Sequence, residues 1–186
     1  MRSTNITSSN SFSDVAGGQW FNVAVSTLTD LDIIQGYPDG SFRPENNITR
    51  AEFVTLVARF FAAADGSGAM PYSDVPNGHW AVEHIMSGYN AGIILGYPDG
   101  TFRPEAPISR AEAITLINRL LNRYVESADD MLSDMVTWSD NANVNAWYYY
   151  AIQEATNSHS YTRKEDSIYE IWDAILPNRD WTAIER

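Results

Sequence analysis

Apolar residues along this chain recur at helical spacing, in two alternating kinds of segment. In the first kind Val25, Leu28 and Leu31 form one stripe, and Ile85, Gly88 and Ala91 take the same places further on, which predicts helices starting near Trp20 and Trp80. The small residues at Gly88 and Ala91 imply a close helix crossing, because backbones approach where side chains are short. In the second kind Phe53, Val54, Leu56, Val57, Phe60 and Phe61, and later Ile114, Leu116, Ile117, Leu120 and Leu121, make a much wider apolar face that predicts burial on most sides. A capping box opens each of these helices: Thr49 with Glu52, and Ser109 with Glu112, each side chain satisfying the other residue's backbone donor. Between the two kinds lies a polar loop in which Tyr37-Pro38-Asp39-Gly40 suits a type I turn, Pro presetting the first central position and Gly favoured last. Phe42 and Phe102, just beyond the turns, are expected to plug the loops onto the core.

The alternation is an internal repeat. Phe12-Ser13-Asp14-Val15 returns as Tyr72-Ser73-Asp74-Val75, Trp20 as Trp80, Gly36 to Glu45 as Gly96 to Glu105, and Ile48-Thr49-Arg50-Ala51-Glu52 as Ile108-Ser109-Arg110-Ala111-Glu112, every pair offset by 60 residues. A third, eroded copy follows. Trp138-Ser139-Asp140 restates the opening and Trp147 answers Trp20, but no GYPDG segment follows, and Thr162-Arg163-Lys164-Glu165 arrives 15 residues after its Trp instead of 29. The expected organisation is an N-terminal tail over 1–11, flexible in character, and repeats over 12–66, 67–127 and 128–186. The fold class is all-α, three helix-loop-helix repeats that form one cooperative unit, since a single repeat is too small to bury its own apolar helix.

Composition narrows the chemistry. The 186 residues are 44% apolar, with 24 acidic residues against 12 basic ones and a net charge of -12. That field repels nucleic acid and anionic membranes, so neither is an expected partner. An anionic ligand would depend on where individual arginines sit. The absence of cysteine removes disulfides, thiol catalysis and thiolate metal sites. Met1 to Asn10 has no apolar signal-peptide core and no stretch reaches membrane-span length, so an export signal for an extracellular protein is expected to have been removed or to lie elsewhere in a longer parent.

The FSDV opening, the aligned Trp, GYPDG, F-R-P and I-T-R-A-E resemble the S-layer homology family, strongly over about Phe12 to Arg123 and weakly over Trp138 to Arg186. The resemblance implies a monomeric, three-pronged pseudo-trimer around a central helical bundle, with ligand grooves between neighbouring prongs. It implies a non-catalytic module, with no cofactor or metal, that anchors a secreted bacterial protein at the cell wall. The implied partner is a secondary cell-wall polymer, an anionic glycan of the kind capped by a pyruvylated amino sugar. The family's binding arginine falls on Arg50 and Arg110, with Arg163 the counterpart in the eroded copy.

Those arginines also stand out on physical grounds. The capping box explains Thr, Ser and Glu, whereas a cation in the first turn faces the positive end of the helix dipole, at a local cost of roughly 0.3–1 kcal/mol. Free backbone donors and a planar guanidinium at a helix start would suit one carboxylate. Trp20, Trp80 and Trp147 offer either packing area or an exposed indole face for a sugar ring. Asp14, Asp74 and Asp140 either cap the turn before the first helix or accept hydrogen bonds from sugar hydroxyls. Gly36 and Gly96 either permit an unusual backbone or, by resemblance, let the chain approach the ligand.

Three other readings stand beside this one. A peptidoglycan-binding module is one alternative, for which the sequence singles out no residues of its own. A wall-glycan hydrolase needs two carboxylates with separated pKa values, yet the acidic residues here repeat with their frames as recognition or capping groups do. A calcium-dependent adhesion module would draw on Asp39-Gly40 and Asp99-Gly100, but the D-x-D-x-D-G ladder with its distal Glu is missing, and His79, His84 and His159 have no ligand spacing.

Overall fold

A computed structural model describes residues 9–61 and 65–177, so residues 1–8 of the expected tail, part of the first connector and the end of the third repeat lie outside the described residues. The described elements are mainly helical: α1 (Asn22–Asp30), α2 (Arg50–Phe61), α3 (Val82–Asn90), α4 (Arg110–Leu121), α5 (Tyr149–Thr156), and one antiparallel hairpin of β1 (His159–Arg163) and β2 (Glu170–Ile175). The chain falls into two compact units, Met1–Ile108 and Ser109–Arg186.

In the first unit each repeat opens as the periodicity predicts, its first helix beginning two residues after Trp20 or Trp80. Phe12, Val15, Val25 and Ile34 form a buried cluster, with Phe21, Leu28, Phe42 and Leu56 packed against it. In the second repeat Ile85 and Phe102 are fully buried, and Tyr72 lies over Phe102 with ring centroids 5.5 Å apart. The small residue at Gly88 serves a different purpose from the helix crossing expected of it. A Cβ there would meet the Ile94 side chain, so Gly88 makes room for the loop that follows its own helix. Ala91 is exposed.

The wide apolar face of α2 is only partly covered. Ala51, Val54 and Ala58 are buried, while Phe60 and Phe61 at its end remain exposed. Its start, in contrast, is closed by the second repeat. The amide of Arg50 donates to the carbonyl of Ala106 at 2.9 Å, that of Ala51 to Pro104 at 3.0 Å, and Ile108 donates back to Ile48 at 3.1 Å. Thr49 and Glu52 complete the capping box through bonds of 2.8 and 3.2 Å.

In the second unit α4 carries the same capping box on Ser109 and Glu112. α4 packs against α5, where Asn118 donates to the Ala151 carbonyl at 2.9 Å. Val125, Met131, Tyr149 and Trp172 make this unit's core. The third repeat has a first helix, but where the motif resemblance placed a helix start at Arg163 the chain runs as β1 into the hairpin. Once the loop is lost, Tyr161 and Thr162 pair with Trp172 and Ile171. Trp172 of β2 is buried in the core, so a strand whose alternate residues face inward satisfies this segment.

Candidate functional site

Each GYPDG loop is built around its turn. Gly40 donates to the Tyr37 carbonyl at 2.9 Å and Gly100 to Tyr97 at 3.0 Å, closing a four-residue turn where the sequence predicts one. Asp39 accepts from the amide and hydroxyl of Ser41 and pairs with Arg43 at 2.7 Å, and Asp99 does the same with Thr101 and Arg103. Hydrogen bonds from Ser41 and then Arg43 pull the Asp39 carboxyl down to about 2, and those from Thr101 and Arg103 pull Asp99 down to about 2. Both oxygens of each carboxylate are thus engaged within their own turn.

Asp14 and Asp74 act on the same loops from a distance. The Asp14 carboxylate accepts from the amides of Phe42 and Arg43 at 2.8 and 2.7 Å, and Asp74 from Phe102 and Arg103 at 2.8 Å each. The bond from Phe42 lowers the Asp14 pKa. Neither caps the turn before the first helix: each ties the far side of its loop back to the repeat's opening. Gly36 and Gly96 have φ of 66° and 65°, and a Cβ at either would collide with the ring of Phe12 or Tyr72. The unusual-backbone reading therefore has a full physical basis. Asp140 is exposed within a short 3₁₀ turn, Ser139–Asn141.

The arginines separate. Arg50 is 7% exposed. Its Nε donates to the Phe102 carbonyl at 2.8 Å, and its guanidinium lies over the rings of Tyr97 and Phe102 at 4.6 and 4.9 Å. The helix start expected to offer free donors to an anion has its Arg50 and Ala51 amides bonded to backbone carbonyls instead. Arg110, its partner by repeat, is exposed. Arg163 donates to the carbonyls of Ile168 and Asn122 at 2.7 and 2.5 Å and lies 3.2 Å from a Glu170 oxygen, contacts that tie the hairpin to the end of α4. Trp20, Trp80 and Trp147 are 90%, 57% and 65% exposed, which removes the core-packing reading for all three.

The first unit contains a groove of about 690 Å³. Gly36 and Tyr37 from the first loop, Thr49, Glu52, Leu56 and Arg59 from the start and one face of α2, and Trp80 and Glu105 from the second repeat line it. Of the residues singled out from sequence, it brings together Gly36 and Trp80. Arg50 and Trp20 are not among its lining residues. Glu52 is occupied, accepting from the Thr49 amide at 2.8 Å and the Tyr37 hydroxyl at 2.6 Å, and that last bond, aided by burial, pushes Tyr37 up to about 12. Glu105 pairs with His79 Nε2 at 2.9 Å, while His79 Nδ1 accepts from the Ala81 amide, and its ring stacks on Trp80. Sequence reasoning missed Arg59, although it recurs as Arg119 at the repeat offset.

A second cluster also escaped the sequence. In the second unit Arg123 lies 2.5 Å from Glu154 and 2.8 Å from Glu170, and His159 Nε2 lies 2.8 Å from Arg123 and 3.2 Å from Glu154. Burial first, only partly offset by Arg123, raises the Glu170 pKa, while burial of Glu154 is outweighed by its bonds to His159 and Trp172, which lower it. Ligand atoms of Glu154, His159 and Glu170 come within 4.8 Å of one another, but Arg123 and Arg163 already supply the positive charge among them.

Known proteins carry the same frame. The profile of the S-layer homology domain family matches residues 11–54 and 71–114. The chain is 36% identical to cell surface glycoprotein 1 of Acetivibrio thermocellus, over 86% of this chain and 7% of that protein. It is 37% identical to the cellulosome-anchoring protein of the same organism, over 86% of this chain and 35% of the relative. To an endoglucanase of a Bacillus species it is 28% identical, over 82% of this chain and 16% of the enzyme. The chain thus spans a minor part of each of these relatives. With capped helices, GYPDG turns and exposed tryptophans at the matched positions, residues 11–54 and 71–114 are two S-layer homology domains, and the chain belongs to that family.

Proposed function

We propose that this chain is a non-catalytic module that fastens its parent protein to the bacterial cell surface by binding an acidic secondary cell-wall polymer. The observation that carries this reading is the groove of the first unit, a cleft of ligand size lined by a half-exposed indole and the Gly36 loop. Sugar rings pack on such faces while their hydroxyls bond polar neighbours, here Thr49, Tyr37 and Glu52. The relatives, a cellulosome-anchoring protein and a cell surface glycoprotein, support the same role. A similar segment forming a minor part of an endoglucanase fits a module that localises an activity carried elsewhere.

Within this reading Trp80 and Gly36 form the first groove. Trp20 and Trp147 offer equivalent stacking faces in their own repeats, and the exposed Arg110 offers a cation at the start of α4. Asp14, Asp74 and Gly96 act indirectly, by fixing the loops, and Arg50 joins α2 to the second loop. Co-sedimentation with purified cell walls tests the proposal. The protein is expected to pellet with intact walls and to stay in solution once the secondary polymer has been extracted. Undiminished pelleting after extraction would transfer the role to peptidoglycan.

A further inference from the structure

The charges around the first groove identify the group that meets the ligand's acid, on the anchoring reading above. Arg43 is neutralised by Asp39 at 2.7 Å and lies over the Tyr37 ring at 4.0 Å. Glu52 is held by the capping box and Tyr37, and Glu105 by His79. One lining charge has no such counterpart. Arg59, in the last turn of α2, is half-buried, makes a single long bond from Nη1 to the Ile33 carbonyl at 3.3 Å, and among the described residues forms no ion pair. Burial lowers its pKa, and after burial its charge contributes to lowering the pKa of His84.

We infer that Arg59 is the anion anchor of the first groove, holding the carboxylate or phosphate of an acidic sugar whose face is offered to Trp80. The reasoning is electrostatic. A protein of net charge -12 repels polyanions at long range, and within a Debye length an unpaired, partly desolvated guanidinium reverses that locally. A cation in the last turn of a helix is stabilised by the dipole there, so Arg59 can be held without a carboxylate partner and keep its fork for a ligand. A planar guanidinium also suits two-pronged contact with a carboxylate or phosphate. The groove volume is that of a small-ligand site, enough for a terminal sugar and not only an ion.

The test compares wild type, Arg59→Gln and Arg59→Lys by calorimetric titration with methyl glucuronide, glucose 6-phosphate and neutral methyl glucoside, with thermal melts alongside. Wild type is expected to prefer at least one acidic probe to methyl glucoside, and the tighter of the two names the acid. Arg59→Gln should weaken that probe roughly ten- to hundred-fold while leaving the neutral sugar unchanged, and Arg59→Lys should recover part of the loss. The Arg59 Nε–H resonance of the wild type should shift on titration, a readout that survives if a variant folds poorly. Wild-type acid affinity in Arg59→Gln, equal losses for acidic and neutral probes, no acid preference in the wild type, or an unmoved Arg59 resonance would each overturn the inference. Wall pelleting separates the two levels. If Arg59→Gln pellets as well as wild type, Arg59 is refuted and anchoring stands; if wild type fails to pellet, anchoring falls while the sugar titration still decides Arg59.

Discussion

Replacing Arg50 by Ala and, separately, Arg110 by Ala tests whether two residues identical in motif have different roles. Arg50 loses a charge-assisted bond to the Phe102 carbonyl, worth about 1.5–3 kcal/mol. It also loses contact with the Tyr97 and Phe102 rings, worth about 0.5–2 kcal/mol for a desolvated cation. The expected destabilisation is about 3 kcal/mol, or a fall in Tm of roughly 6–12 °C for a chain of this size. Arg110 is exposed, and removing a first-turn cation relieves a small unfavourable dipole term, so Arg110→Ala should stay within about 0.5 kcal/mol of wild type. Urea unfolding followed by circular dichroism at 222 nm measures both. If the two variants shift alike, or if Arg50→Ala is as stable as wild type, the structural role of Arg50 is refuted.

Other perturbations address the remaining features. Gly36→Ala should destabilise by about 2–4 kcal/mol, combining left-handed strain with the collision against Phe12, whereas Gly40→Ala has open space at the Cβ and should cost only its backbone strain, read from the same urea curves. Trp20→Ala, at a 90% exposed position, should leave Tm unchanged, and Trp80→Ala should reduce wall pelleting with little loss of Tm. Asp39 and Asp99 have folded pKa values of about 2, below the unfolded value of 3.8, so their contribution is complete above about pH 4 and is lost as pH falls toward 2. The double variant Asp39→Asn, Asp99→Asn should therefore flatten the acid limb of a stability–pH curve. Arg123→Met should cost about 3–5 kcal/mol by leaving Glu154 and Glu170 buried without their shared partner, with added Glu154→Gln, Glu170→Gln recovering part of the loss in melts.

What could be read in advance was whatever neighbours in sequence decide. The capping boxes at Thr49–Glu52 and Ser109–Glu112, the turns at Tyr37–Gly40 and Tyr97–Gly100, and the helix starts after each Trp depend on residues within a few positions, and all are present. Arg50 was misplaced because its surroundings come from Tyr97, Phe102 and Ala106, about fifty positions away, and nothing local distinguishes it from Arg110. The same long reach hid the roles of Asp14 and Asp74. At the hairpin, similarity of Thr162-Arg163 to the helix-opening motif competed with the alternating burial of Glu170 and Trp172, and the second signal proved the physical one. Arg59 was legible as a repeat but lay inside an apolar run, where sequence alone cannot tell a groove wall from a core face.

The bonds from Arg50 and Ala51 to the carbonyls of Ala106 and Pro104 also bear on how the chain acquires its shape during synthesis. The first repeat has all of its helical residues outside the ribosome while the segment that closes the start of α2 is still unmade. Until then two amides of α2 must be served by water, and Arg50 has no carbonyl to grip. A ribosome stalled at increasing lengths should therefore show protection of α2 rising late, once residues beyond 106 have emerged, and not when α2 itself does. The first copy of the repeat thus depends on the second, so that removing the second repeat would leave the start of α2 open.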